Sequence, residues 1–318
     1  MKPCYVGFDT SNYTTSAAVC DGEGRIVANL KIPLPVKAGE RGLRQSEAVF
    51  DHVRNLPALC LRLSESLVGY EPVAVGVSVT PRDAEGSYMP CFLAGKSAAY
   101  SFAASKGLPV HTFSHQSGHI MAALYSADKL SLLDGDRFLA FHVSGGTTEA
   151  VLVSGTGDGF FVELVGNTAD INAGQAIDRV GVSMGLDFPC GAALEALAAE
   201  YTGKIKSHPV CVRDGVCSLS GVENIAARLY AKNGDKSEVA AFVFDFIGRT
   251  LEKMCGDIMQ KYGNSPVLFA GGVMSNKLMR QRLCQRFEAY FSAPAFSADN
   301  AAGIALLCRN REISKETR

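Results

Sequence analysis

Residues 137–155 read RFLAFHVSGGTTEAVLVSG. An apolar run ends at Val143, a turn of Ser, Gly and Thr follows, and a second apolar run leads to Gly155. That order predicts strand, tight turn, strand, with GFFVELVG (159–166) as a third strand. The chain opens in the same way. CYVGFDT (4–10), TSAAVCD (15–21) and RIVANLKI (25–32) form a meander around the polar turn DTSNYTTS (9–16). Two such meanders, each followed by strand–helix units, predict a duplicated α/β fold with two lobes around a cleft. The expected division is an N-terminal lobe over 1–133 and a C-terminal lobe over 134–318, the latter with a helical insertion near 173–235.

The segments between the meanders fit that outline. SEAVFDHVRNLPALCLRLSESL (46–67) has helical spacing, with Pro57 expected to kink or interrupt it. VAVGVSVT (73–80) reads as a buried strand, and CFLAGKSAAYSFAASKG (91–107) as a helix ending at Gly107. In the second half, helices are expected near 173–186, 191–201, 221–232 and 237–261. SPVLFAGGV (265–273) is a strand running into glycines, NKLMRQRLCQRF (276–287) a helix, and NAAGIALLCRN (300–310) a closing helix.

Composition narrows the function. A chain of 318 residues with 47% hydrophobic content can bury two cores. A net charge of −1 gives no general attraction to nucleic acid, so RNA contact would need a local patch or a partner. MKPCYVGFDT runs directly into a strand pattern and is not expected to be a secretory leader. No apolar stretch approaches the roughly 18 residues of a membrane span. The ten cysteines are scattered and form no C-x-x-C. A reduced, cytoplasmic protein that uses Cys as a small hydrophobe is expected.

Four stretches could carry chemistry. In FSHQSGHIMAAL (113–124), Ser114 is a plausible N-cap, and His115 and His119 lie one helical turn apart on one face. They either pack at a helix end or converge on a metal; the H-E-x-x-H arrangement of zinc proteases is absent. A metal would need a third ligand, and Asp299 in SADNAAGIA (297–305) offers one, although Asp at a helix start is also an ordinary cap. Two imidazoles and a carboxylate suit Fe(II) or Zn(II). The turns DTSNYTTS and VSGGTTE expose backbone N–H groups suited to phosphate oxygens, and FAGGVMSN (269–276) runs a strand into Gly271 and Gly272 before a helix. Asp178 stands on an otherwise small and apolar helix.

In this order the motifs resemble the tRNA N(6)-adenosine threonylcarbamoyltransferase family, once described as O-sialoglycoprotein endopeptidases. His115-Gln116-Ser117-Gly118-His119 is similar to its H-x-x-G-H, and Ser297-Ala298-Asp299-Asn300 to its C/S-x-D-N. Val143-Ser144-Gly145-Gly146 resembles V-S-G-G, and Ala173 to Asp178 resembles A-G-E-A-F-D. Leu186 to Gly191 is similar to L-x-Y-P-G-G, Ser218 to Gly221 to S-F-S-G, and Ala270 to Asn276 to A-G-G-V-x-x-N. The resemblance implies the actin-like, Hsp70-like, sugar-kinase-like (ASKHA) fold. It implies one divalent metal on His115, His119 and Asp299, with Fe(II) favoured and Zn(II) as alternative. It also implies threonylcarbamoyl-AMP on His142, Val143, Ser144, Gly145, Gly146, Asp178, Gly191 and Asn276. The reaction implied is transfer of threonylcarbamoyl to the N(6) amine of the adenosine beside the anticodon. The partners implied are tRNA, a second actin-like subunit and a small ATPase, with no membrane.

The departures from the family lie near the expected site. Its E-T-S-x-D-E-T is here Asp9-Thr10-Ser11-Asn12-Tyr13-Thr14-Thr15, so two adjacent acids become Tyr13 and Thr14. Its S-G-G-H-T becomes Ser144-Gly145-Gly146-Thr147-Thr148, its G-P-G-L becomes Pro81 to Gly86, and a Lys after S-F-S-G-L becomes Glu223. Ser11 and His142 are the remaining candidates for a catalytic group. The alternative is a divergent paralogue that keeps metal and nucleotide but uses another acceptor, or serves as a regulatory or scaffold subunit.

Overall fold

The computed structural model describes residues 1–11, 13–35, 43–298 and 300–316. In chain order, the first elements are β1 (Lys2–Ser11), β2 (Thr14–Asp21), β3 (Ile26–Pro33), α1 (Gln45–Ser66), β4 (Tyr70–Thr80), α2 (Phe92–Lys106), β5 (Val110–Ser114) and α3 (His115–Ser126). Next come β6 (Phe138–Val143), β7 (Thr148–Gly155), β8 (Phe160–Thr168), α4 (Ala173–Ser183), α5 (Gly191–Glu200), β9 (Cys211–Arg213) and β10 (Val216–Ser218). The remainder is α6 (Gly221–Asn233), α7 (Lys236–Tyr262), β11 (Val267–Ala270), α8 (Lys277–Cys284), β12 (Ala289–Phe291), α9 (Pro294–Ser297) and α10 (Ala302–Glu316).

The duplication is explicit in the sheets. One runs β3-β2-β1-β4-β5 and the other β12-β11-β6-β7-β8-β10-β9. Read from β8 to β12, the second repeats the first. In both, the opening strand pairs antiparallel with the next strand and parallel with a strand reached through helices. A parallel neighbour cannot be reached by a hairpin, so α1 fills one crossover and α4 to α7 fill the other.

The first compact unit comprises 1–136, 155–162 and 295–318. β1 is buried from Cys4 to Ser11 because helices cover both faces of its sheet. Cys4, Val6 and Phe8 face Leu59, Leu63, Ala99 and Ala103 of α1 and α2. Tyr5 faces the opposite layer, with Met121 of α3 and Ala301, Ile304, Ala305 and Cys308 at and within α10. This corrects the expected division at 133/134. The described residues from 295 onward pack in the first unit, where the small residues of α10 fit so near the strands that a Cβ on Gly7 would lie 2.6 Å from Ala305 N.

Two further differences are local. α1 is a single helix through Pro57; Val53, whose carbonyl loses its helical donor there, is exposed, so water can serve it. α8 ends at Cys284, short of 287. In the second unit (137–154 and 163–294) the long helix α7 lines the core with Phe242, Phe246, Leu251 and Met254. Among the described residues no helix is long and apolar enough to cross a membrane.

Candidate functional site

In the first unit the chemistry gathers at the start of α3. Ser114 caps the helix as expected, its Oγ accepting the Ser117 N–H at 3.1 Å. The Ser114 and Ser117 hydroxyls both reach Asp83 Oδ2, at 2.8 and 2.7 Å, and the Gln116 N–H donates to Pro81 O. The altered segment 81–86 thus ties down the first turn of the helix.

His115 and His119 come together edge to face, with ring centroids 4.3 Å apart. His115 Nδ1 lies 2.6 Å from Asp9 Oδ2, and Asp9 Oδ1 accepts the Ser11 N–H at 2.8 Å. Asp299 lies outside the described residues. Among the described residues no three His, Cys, Asp or Glu side chains group to hold a metal. The donors present still suit one. Imidazoles one turn apart, one of them hydrogen-bonded through its second nitrogen to a carboxylate, are the usual surroundings of a metal-binding histidine. Asp9 is a functional candidate that sequence reading missed, because it belonged to a turn read as a phosphate loop.

That turn divides by strand alternation. Thr10 Oγ1 donates to Cys91 O and accepts the Gly95 N–H, and Thr15 Oγ1 contacts His52 Nδ1 and Asn55 Nδ2. Ser16 Oγ donates to Asp9 O. These hydroxyls are committed to the protein itself. Ser11 Oγ is buried with no hydrogen-bond partner among the described residues.

The second unit holds a different site, at the carboxyl ends of β6 and β11, where open α/β sheets bind ligands. Ser144 Oγ accepts the N–H groups of Gly146 and Thr147 at 3.2 and 3.1 Å, closing the turn and leaving Gly145 and Gly146 exposed. The start of α4 backs this turn. The Gly174 N–H donates to Ser144 O at 3.1 Å and the Ala173 N–H to Thr148 Oγ1 at 2.9 Å. Gly174 is required there, since a Cβ would lie 2.6 Å from Gly145 N. One turn on, Asp178 Oδ1 accepts the Cys190 N–H at 2.8 Å, which places Gly191 beside it. Burial raises the Asp178 pKa, against the opposing effect of that hydrogen bond.

After β11, Gly271 takes φ 98° and sits against the Val143 carbonyl. Asn276 then caps α8 through Oδ1, 3.0 Å from Met279 N, while its buried Nδ2 has no hydrogen-bond partner among the described residues. α4 touches the turn at 272–275. His142, at the end of β6, pairs with Glu149 and Ala270 in register. The turn at 144–146, Asp178, Gly191 and the turn before Asn276 thus lie on neighbouring elements joined through α4, the candidate cradle of this unit. Beside it, Glu223 forms an ion pair with Arg179 at 3.1 Å, so the acidic residue neutralises a neighbouring cation. Burial disfavours the charge of Asp170, but the Ser220 hydroxyl and the N–H groups of Leu219, Ile171 and Ser220 outweigh it and lower its pKa.

The family model of tRNA N6-adenosine threonylcarbamoyltransferase (TsaD) matches residues 69–306. The chain belongs to that family. The matched span includes His115, His119, the cradle of the second unit and Asp299, and it begins after Asp9. Solved structures agree on the fold. HypF of T. kodakarensis is similar with a TM-score of 0.62 at 11% identity, over 99% of this chain and 48% of HypF, so this chain spans about half of that protein. A ROK family glucokinase from Streptomyces griseus, in complex with glucose and AMPPNP, gives 0.54 at 16% identity over 96% of this chain and 98% of the kinase. The activator of the 2-hydroxyisocaproyl-CoA dehydratase from Clostridium difficile, with bound ADPNP, gives 0.52 at 12% identity over 99% and 98%. This threonylcarbamoyltransferase-family chain has the duplicated ASKHA fold.

Proposed function

We propose that this protein moves a threonylcarbamoyl group from threonylcarbamoyl-AMP to the N(6) amine of the adenosine beside the anticodon of tRNA. The observation that carries the reading is the exposed glycine turn after Ser144, braced on Gly174 of the helix that carries Asp178 and meets the turn before Asn276, whose buried Nδ2 has no hydrogen-bond partner among the described residues. With the Ser144, Gly146 and Thr147 N–H groups closing the turn, the exposed Gly145 backbone lets a phosphate or sugar approach closely, and a buried amide donor suits the same ligand. In the reaction a bond forms between the adenine nitrogen and the carbamoyl carbon. The bond from that carbon to the phosphate oxygen breaks, and AMP leaves. The amine proton passes to a base, for which His142 is the candidate.

His115 and His119, with Asp299, would hold one divalent ion, Fe(II) or Zn(II). Such an ion would supply Lewis-acid polarisation. Positioning and charge stabilisation carry most of such a reaction. A second actin-like subunit and a small ATPase are the partners proposed, in the cytoplasm.

A second reading keeps nucleotide and metal but changes the acceptor or makes the chain a regulatory or scaffold subunit. The Arg179–Glu223 pair favours it, because it removes a cation that a polyanion could use. Metal-loaded protein, threonylcarbamoyl-AMP and unmodified tRNA separate the two. Incorporation into tRNA of the threonylcarbamoyl group, labelled in its threonine part, that is lost in Asn276→Ala supports transfer. Tight AMP binding without incorporation supports the second reading.

A further inference from the structure

We infer that Asp9 is a positioning residue for the metal centre: through Nδ1 it fixes the ring of His115 so that Nε2 is the nitrogen offered to the ion. The inference rests on the metal reading of His115 and His119 above, and it concerns a residue outside the matched span 69–306.

Three observations support it. The Asp9 Oδ2 to His115 Nδ1 distance is 2.6 Å, the range of a charge-assisted hydrogen bond. The carboxylate cannot turn away, because Oδ1 is held by the Ser11 N–H, and the adjacent Thr10 anchors the strand end to Cys91 and Gly95. Finally, the Asp9 side chain is only 1% exposed, and His115 is its only ion-pair partner among the described residues. A carboxylate acceptor at Nδ1 requires the proton there, which leaves Nε2 as the ligand atom.

The test uses full-length protein, Zn(II) for affinity and Co(II) for its absorption spectrum. Asp9→Asn keeps the shape and the acceptor for Ser11 but removes the charge. The inference expects one Zn(II) per wild-type chain, a Kd weakened roughly 10–100-fold in Asp9→Asn, and a shifted Co(II) spectrum. Wild-type and variant affinities within twofold of each other, with identical spectra, overturn the inference and leave the metal reading standing. A wild-type chain that binds no stoichiometric metal overturns the metal reading, and this inference with it. Nitrogen-15 NMR of His115 in Zn(II)-loaded wild type provides a readout that needs no variant to fold. The Nδ1-protonated tautomer is expected, and the Nε2-protonated one overturns the inference.

Discussion

Gly174→Ala is the substitution that most directly couples the fold of the second unit to its ligand cradle. A Cβ at 174 would stand 2.6 Å from Gly145 N, 2.7 Å from Gly145 Cα and 2.8 Å from the Ser144 carbonyl carbon. All three are backbone atoms of the substrate turn, so no side chain can swing aside. Carbon atoms pack at about 3.5–4.0 Å, so turn and helix must separate by roughly 1 Å. Overpacking of this kind costs about 1–3 kcal/mol, and replacing Gly by Ala in a helix returns at most about 1 kcal/mol. A net loss of about 1–2 kcal/mol is expected. The same movement stretches the bond from the Gly174 N–H to Ser144 O, now 3.1 Å. The Kd for AMP should rise, by tenfold for each roughly 1.4 kcal/mol of alignment lost. Gly256 in α7 is the control, since nothing lies within 4 Å of its added Cβ. Gly256→Ala should gain up to about 1 kcal/mol and leave AMP binding unchanged. Urea unfolding and titration calorimetry measure both effects. If Gly174→Ala matches wild type in stability and AMP affinity, the turn is not braced by the helix and the reasoning fails.

Gly303→Ala should destabilise the first unit by about 3 kcal/mol, because its Cβ would meet the Gly118 carbonyl and lie 2.8 Å from Ala122 N; thermal unfolding measures it. Asp83→Ala removes two serine hydrogen bonds at the start of α3 and should cost roughly 1–2 kcal/mol, given the exposure of the carboxylate. Asp170 and Asp178 should respond to pH with opposite signs. The folded pKa of Asp170 is lowered, so its contribution is present above the ordinary carboxylate range and is lost as pH falls through the folded value. Asp170→Asn should therefore destabilise near neutral pH and converge with wild type in acid. The folded pKa of Asp178 is raised, so its ionised form weighs against folding above that value and the penalty lifts as pH falls. Asp178→Asn should thus narrow its deficit, or gain on wild type, near neutral pH, while losing AMP binding.

Much of this architecture is legible in the chain because both sheets are covered. Strands such as Tyr5 to Phe8 and Phe138 to Val143 appear as short apolar runs, and the turns between them carry Ser, Gly and Thr. The destination of α10 is not legible. Ala-Ala-Gly-Ile-Ala-Leu-Leu announces a buried helix but not which sheet buries it, and only its approach to Gly7 and Gly118 decides that. β5 alternates Val, His, Thr, Phe and Ser, and β9, β10 and β12 have three residues each, too few to show a period. At the site, the i, i+4 spacing of His115 and His119 was sufficient to pair them. The partnership of Asp9 with His115 spans 106 positions and depends on which face of β1 meets α3. Thr10 and Thr15 turn their hydroxyls to Cys91, Gly95, His52 and Asn55, and a turn's composition does not say which hydroxyls point back into the protein.

The most direct measurement is transfer itself. Lysate of the host lacking this gene would be given unmodified tRNA, labelled threonine, bicarbonate and ATP, and then purified wild-type or Asp299→Ala protein. The proposed function requires that incorporation into tRNA disappear on deletion and return with wild type but not with the variant. Full incorporation in the deleted lysate would contradict it.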